Sequence, residues 1–164
     1  DFASQLATFT QVEQQIKANT LLEKMVNNAK LSTVSLIGKN ARIEEKGYFD
    51  GTTIRLTVNP DKGATSATLI VKNADGKEVA KEKIELLSKT IDWSGKGTDG
   101  KVLDAGVYSF SVESFKDGKS IGENYAEAYS EITEVTFADK KTLLTLAGDQ
   151  TVLLDKIKGL RENS

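Results

Sequence analysis

Few residue patterns in this chain could do chemistry, and each fails on inspection. Gly95-Lys96-Gly97-Thr98-Asp99-Gly100-Lys101 has the spacing G-x-x-x-x-G-K, in which backbone N–H groups cradle phosphate and the lysine reaches the outer phosphates. The next residue is Val102, not the Ser or Thr that would hold Mg²⁺. The alternation downstream predicts a strand, whereas a phosphate cradle opens into a helix N-terminus. Gly118-Lys119-Ser120 fails too, because Glu113 stands where the first glycine belongs. Asp92, Asp99, Asp104 and Asp117 invite a calcium reading, but they lack the alternating ligands and terminal Glu of a calcium loop. Turn chemistry accounts for Asp99 and Asp117. With no histidine and no cysteine, the usual general base, the commonest transition-metal ligand, thiolate zinc sites and disulfides are all missing. Paired carboxylates can hydrolyse glycosides without histidine. None of the 24 acidic residues stands out by spacing, and they alternate with lysines as on solvated strands. The expectation is a non-enzyme with no catalytic residue, no cofactor and no metal.

What remains is architecture. Ile91 and Trp93 share one face of a short strand, followed by a loop with Gly95, Gly97 and Asp99-Gly100. A second strand has Tyr108, Phe110 and Val112 alternating with Ser109, Ser111 and Glu113, the period-2 mark of a half-buried strand. Trp93, Tyr108, Phe110 and Val112 are therefore the expected structural core; a tryptophan alone buries ~150–250 Å².

Before this lies a helix. Between Asp1 and Lys30 there is no Gly or Pro, and Phe2, Leu6, Phe9, Val12 and Ile16 recur at spacings of three and four, giving one apolar stripe. Leu22, Met25, Val26 and Ala29 are expected to extend it, with Gln5, Gln11, Glu13, Gln14 and Gln15 on the exposed side. That length suggests a coiled coil or a partner helix.

The rest reads as strands and turns. Ile54, Leu56 and Val58 alternate; Ala67–Lys72 is a strand; Lys77–Ile84 is a charged edge strand whose lysines discourage strange pairings. Asn73-Ala74-Asp75-Gly76 and Asp117-Gly118 are turns. Tyr129–Phe137, Leu144-Thr145-Leu146 and Thr151–Leu154 are the closing strands, and Asp155 is expected to cap a short helix bearing Ile157 and Leu160. The 164 residues suit one ordinary domain or two small ones, and the formal net charge of −2 is dispersed. Nucleic acid needs a concentrated cationic face, and a spanning helix needs ~20 apolar residues. Neither pattern is present, so neither nucleic acid nor membrane insertion is expected.

Several stretches carry a resemblance to the bacterial flagellar hook-capping proteins, also called hook assembly scaffolds or basal-body rod modification proteins. Trp93-Ser94-Gly95, Asp99-Gly100 and Leu103-Asp104-Ala105-Gly106-Val107-Tyr108 are similar to the family's "W-D-G-x-D-x-x-G-x-x-L-P-x-G-x-Y", with Ser94 and Asp104 replacing Asp and Pro. Asp1–Glu13 resembles "E-F-x-x-Q-L-A-Q-F-S-x-L-E" without gaps, and Ser35–Ile43 resembles "x-L-I-G-K-x-V". Glu131–Val135, Leu144–Gly148 and Val152–Ile157 resemble the closing strands.

The resemblance implies a mainly β chain with an N-terminal helix: a small Tudor-like barrel with an inserted Ig- or fibronectin type III-like sandwich. The expected division is a helix over 1–32, a discontinuous barrel over 33–50 plus 124–164, and a sandwich over 51–123. It also implies a scaffold exported, without a cleaved signal peptide, to the distal tip of the growing hook, where it caps hook-protein subunits. Its partners would be those subunits and further copies of itself, the latter through Phe2, Leu6, Phe9, Val12 and Ile16. Starting at Asp1 inside a helix, the chain reads as a fragment lacking the family's export region. The competing reading is a secreted Ig-like binding or adhesion module.

Overall fold

The computed structural model describes residues 1–163. It has two compact units, Asp1–Ile37 and a β unit from Gly38 onward. The class is mainly β with one N-terminal helix, as expected.

The first unit is α1 (Phe2–Val34). The Asp1 carboxylate accepts a bond from the Ala3 N–H, satisfying one of the donors that every helix start leaves open. Inside it, Thr8, Thr10 and Thr20 donate their hydroxyls to carbonyls four residues back, so these polar side chains cost the helix little.

The β unit has twelve strands among the described residues. They are β1 (Asn40–Glu44), β2 (Lys46–Phe49), β3 (Ile54–Thr57), β4 (Ser66–Lys72), β5 (Glu78–Ile84), β6 (Thr90–Trp93), β7 (Gly106–Lys116), β8 (Lys119–Tyr125), β9 (Glu127–Ala138), β10 (Lys141–Leu146), β11 (Gln150–Leu153) and β12 (Gly159–Arg161). One sheet runs β11-β10-β9-β1-β12, with β3 bonded to β9 and β6 to β3. The other runs β2-β7-β4-β5, with β8 also on β7. The charged β5 is an edge, as its lysines suggested.

Pairing explains which strands carry the core. Ile54 sits opposite Trp93 and Leu56 opposite Ile91. On the facing sheet Leu69 sits opposite Val112 and Val71 opposite Phe110. Except for Ile91, which is partly buried and packs against them, these side chains form one buried cluster with Phe49, Tyr108 and Ala128. Ala41, Ile43, Ile132, Leu144 and Leu146 are buried outside that cluster, on the strands of the β1–β9–β10 region. β2, placed by the sequence with the barrel segment, bonds to β7. There Gly47 lies so close to Ala128 and Phe110 that a Cβ would sit 2.9 Å from the Ala128 Cβ, which is why this strand carries a glycine.

Two local expectations are corrected. Asp155 caps nothing: residues Leu154–Lys156 form a single 3-10 turn whose N-cap is Leu153, without a side-chain bond. Ile157 and Leu160 lie beyond it, and Leu160 belongs to β12, opposite Ala41. Here strand pairing wins over a weak helical spacing.

Candidate assembly surfaces

The Trp motif builds a rigid support. Trp93 is completely buried, and its ring centroid lies 5.2 Å from Phe110, 5.3 Å from Phe49 and 5.4 Å from Tyr108, all tilted or edge-on, the arrangement aromatic quadrupoles favour. The Tyr108 hydroxyl donates to the Asp104 carbonyl at 2.7 Å, a tyrosine corner closing the strand back on its own loop. Desolvation, and then the Asp104 charge, raise the Tyr108 phenol above its usual range. The hydroxyl stays protonated as a donor.

The loop that mimicked a phosphate cradle has other work. Gly97 N–H donates to the Lys101 carbonyl, Gly100 N–H to the Gly97 carbonyl and Lys101 N–H to an Asp99 carboxylate oxygen. Its donors close turns and do not converge on one point. Asp92 pairs with Arg55 at 2.9 Å. The side-chain hydrogen bond chiefly, and the charge as well, hold the Asp92 carboxyl low and the Arg55 guanidinium high.

Clefts on the β unit are shallow and polar. The roomiest of those described, about 590 Å³, lies between β2, β7 and the β10–β11 turn, lined in part by Glu44, Lys46, Tyr125, Gln150 and Lys158. Lys158 and Glu44 form an ion pair at 3.5 Å, and no nucleophile–base pair faces the space. The turn seats tightly: a Cβ on Gly148 (φ 79°) would meet Val107 at 2.8 Å and Tyr48 at 2.7 Å. At the other edge β12 is clasped by charge. The Arg161 guanidinium lies 4.0 Å over the Tyr129 ring and that of Arg42 lies 5.6 Å from it, while Arg42 pairs with Glu127 and bonds the Lys158 carbonyl.

Among the described residues, most of the exposed large apolar side chains are on α1. Phe2 is 79% exposed and Phe9 71%, and Leu6, Val12 and Ile16 are also exposed. At about 100° per residue these five fall within an arc of about 120°. Leu22, Met25, Val26 and Ala29 do not extend that stripe, contrary to expectation. With Leu21 they fall within an arc of about 140° centred roughly on the opposite side. The spacing of three and four is right within each half; the count between Ile16 and Leu22 is six, which turns the face away. That count was the signal the sequence held.

Residues 43–118 match the family model of the FlgD Ig-like domain. No curated protein sequence matches. Among solved structures, the chain is similar to FlgD from P. aeruginosa, with 21% identity and a TM-score of 0.66 over 77% of this chain and 98% of that one. It is also similar to FlgD from Xanthomonas campestris, whose description concerns hook capping essential for flagellar assembly, with 18% identity and a TM-score of 0.65 over 80% of this chain and 98% of that one. At those identities the likeness is one of fold.

Proposed function

We propose that this chain, which belongs to the flagellar hook-capping family, is a non-enzymatic scaffold that caps the growing hook and promotes addition of hook-protein subunits. The observation that carries this reading is the FlgD Ig-like match over residues 43–118. It falls on strands whose polar clefts offer turn closure and ion pairs instead of reacting groups. A cap needs stiff β modules and a part that holds copies together. The Trp93 cluster supplies the first, and the stripe Phe2, Leu6, Phe9, Val12 and Ile16 supplies the second by packing against further copies.

In this reading residues 1–32 serve association. Segments 33–50 and 124–164 form a Tudor-like barrel whose β2 also bonds β7, and 51–123 an inserted sandwich. The protein acts outside the cell at the hook tip, reaching it by flagellar export without a cleaved signal peptide. No membrane insertion or nucleic acid enters this account. Among the described residues no helix is long and apolar enough to cross a membrane. The direct experiment is deletion of the gene followed by electron microscopy of the basal bodies. Rods without hooks, restored by the intact gene, are expected; hooks of normal length in the deletion strain would overturn the proposal.

A further inference from the structure

Four aspartates in this chain are followed by glycine: Asp50-Gly51, Asp75-Gly76, Asp99-Gly100 and Asp117-Gly118. Such a pair can react with itself. The glycine nitrogen attacks the protonated γ-carboxyl of the aspartate. A C–N bond forms, the carboxyl C–OH bond breaks, and the amide hydrogen leaves with that hydroxyl as water. The product is a five-membered succinimide. Water then reopens it, adding OH to one ring carbonyl and H to the nitrogen. Opening at the α-carbonyl routes the main chain through Cβ and Cγ, which is isoaspartate. Glycine favours the attack because it has no side chain to shield its nitrogen.

Three conditions decide which pair reacts: a glycine N–H not tied into the fold, a carboxyl not held by other donors, and an aspartate backbone that the ring can adopt. The ring fixes the aspartate ψ near about −120°, the value at the second residue of a type II′ turn, where φ is positive. Asp75 and Asp99 fail the first condition. Each sits third in a four-residue turn, and the bond from Gly76 N–H to the Asn73 carbonyl, like that from Gly100 N–H to the Gly97 carbonyl, closes the turn at 2.9 Å. The Asp99 carboxylate also accepts from the Lys101 N–H. Asp50 fails the second. Its carboxylate accepts the N–H and the hydroxyl of Thr52 at 2.9 and 2.6 Å. Those bonds hold it ionised, below its ordinary value, whereas the neutral acid is the form that loses a hydroxyl. None of these three aspartates has a positive φ.

Asp117 meets all three conditions. It forms with Gly118 the exposed two-residue tip of the β7–β8 hairpin, which the pairing of Lys116 with Lys119 closes. Among the described residues, the Gly118 N–H has no hydrogen bond and the Asp117 carboxylate has neither hydrogen bond nor ion pair. Asp117 has φ 52° and Gly118 φ 83°, the type I′ pattern. Flipping the one peptide between them gives type II′ with the strands still paired, and brings ψ to the value the ring needs. Nothing lies within 4 Å of a would-be Cβ on Gly118, so the tip is open to the water that reopens the ring.

We propose that Asp117 is the site at which the folded chain modifies itself, passing through a succinimide to isoaspartate. The added main-chain carbon lengthens a loop whose length fixes the hairpin register. It also moves the Asp117 N–H off the Thr65 hydroxyl, to which it donates at 2.9 Å. The change stays at the tip, because β7 keeps β4 along its other edge.

The test ages the full chain for weeks at body temperature in mildly acidic buffer, folded and in urea. Electron-transfer dissociation of its proteolytic peptides assigns isoaspartate to each of the four positions. Methyl transfer from S-adenosylmethionine by an isoaspartyl methyltransferase gives the total. In the folded chain, isoaspartate at 117 is expected to exceed that at the other three positions together. In urea the four are expected to converge, because the turns and hydrogen bonds that distinguish them are gone. Gly118→Ala shields the nitrogen and is expected to cut the folded total to what the other three contribute, with unchanged Trp93 fluorescence checking the fold. A folded chain in which Asp50, Asp75 or Asp99 leads, or in which none reacts, would overturn the proposal. So would the same ranking and spread in urea, which would place the preference in the flanking sequence and not in the hairpin.

Discussion

Gly95→Ala tests whether the aromatic cluster sets the stability of the β unit. Gly95 has φ 80° and lies against the face of the buried Phe49 ring: an added Cβ would sit 2.8 Å from Cε1 and closer still to Cζ and Cε2. Phe49 cannot retreat, since Trp93 and Tyr108 pack on it with centroids at 5.3 and 6.3 Å. Two costs follow. An alanine at positive φ costs about 1–2 kcal/mol, and overpacking a filled core costs about 1–3 kcal/mol. Together they remove about 2–5 kcal/mol from a stability that for most domains is only about 5–15 kcal/mol. Gly100→Ala is the control, because Gly100 has φ 77° but nothing within 4 Å of its would-be Cβ. It carries only the backbone cost. Urea and thermal unfolding followed through Trp93, the sole tryptophan, report both. At about 3–5 °C per kcal/mol, Gly100→Ala lowers the midpoint by about 5 °C and Gly95→Ala by roughly 10–15 °C. Phe49→Ala removes the obstacle, so in that background Gly95→Ala shrinks to the size of the control. Equal effects of the two alanines in the unmodified background, or no coupling to Phe49, would refute the reasoning.

Four more predictions follow from the β unit. Tyr108→Phe removes the bond to the Asp104 carbonyl and destabilises by about 1 kcal/mol, seen as an earlier urea midpoint with an unchanged slope. Gly148→Ala pushes the β10–β11 turn off Tyr48 and Val107, costing about 2–4 kcal/mol; a midpoint within error of the parent would show that the turn is not seated. Arg161→Ala removes the closer guanidinium on Tyr129, so amide exchange in β12 quickens while exchange in β4 and β7 is unaltered. Asp50 and Asp92 have carboxyls held below their ordinary 3.8, by the Thr52 hydroxyl and backbone N–H for Asp50 and by Arg55 for Asp92. A lowered carboxyl stabilises above the unfolded value and loses that contribution as pH falls through the folded one. Stability is therefore flat near neutrality and declines below about pH 4, and Asp50→Asn makes the decline shallower in a pH series of melts.

The sequence exposed those elements whose physics is local. Ile54 and Leu56 alternate cleanly because β3 has one face on the core and one in solvent. Asp117-Gly118 marked its hairpin because Asp117 (φ 52°) and Gly118 (φ 83°) both turn left-handed. The aromatic cluster was legible because large apolar residues at period 2 have few other destinations. Pairings between distant segments were not. β2 holds only Lys46-Gly47-Tyr48-Phe49, too short for a period, and its place beside β7 depends on Gly47 fitting under Phe110. The end of the chain misled for the same reason: Ile157 and Leu160 are three apart, yet β12 is held by its partner β1 and by arginines over Tyr129. On α1 the residue types pointed to an exposed apolar surface, but summing both halves as one stripe hid the half-turn between the centres of the two stripes.

β9 has a mechanical consequence. Its first residues bond β3 and β1, and its later ones bond β10, so one strand joins the β10–β11 hairpin to the strands that carry the Trp93 cluster. Load applied at the β9–β10 tip travels along covalent backbone into the Trp93 cluster, with no linker in between to bend.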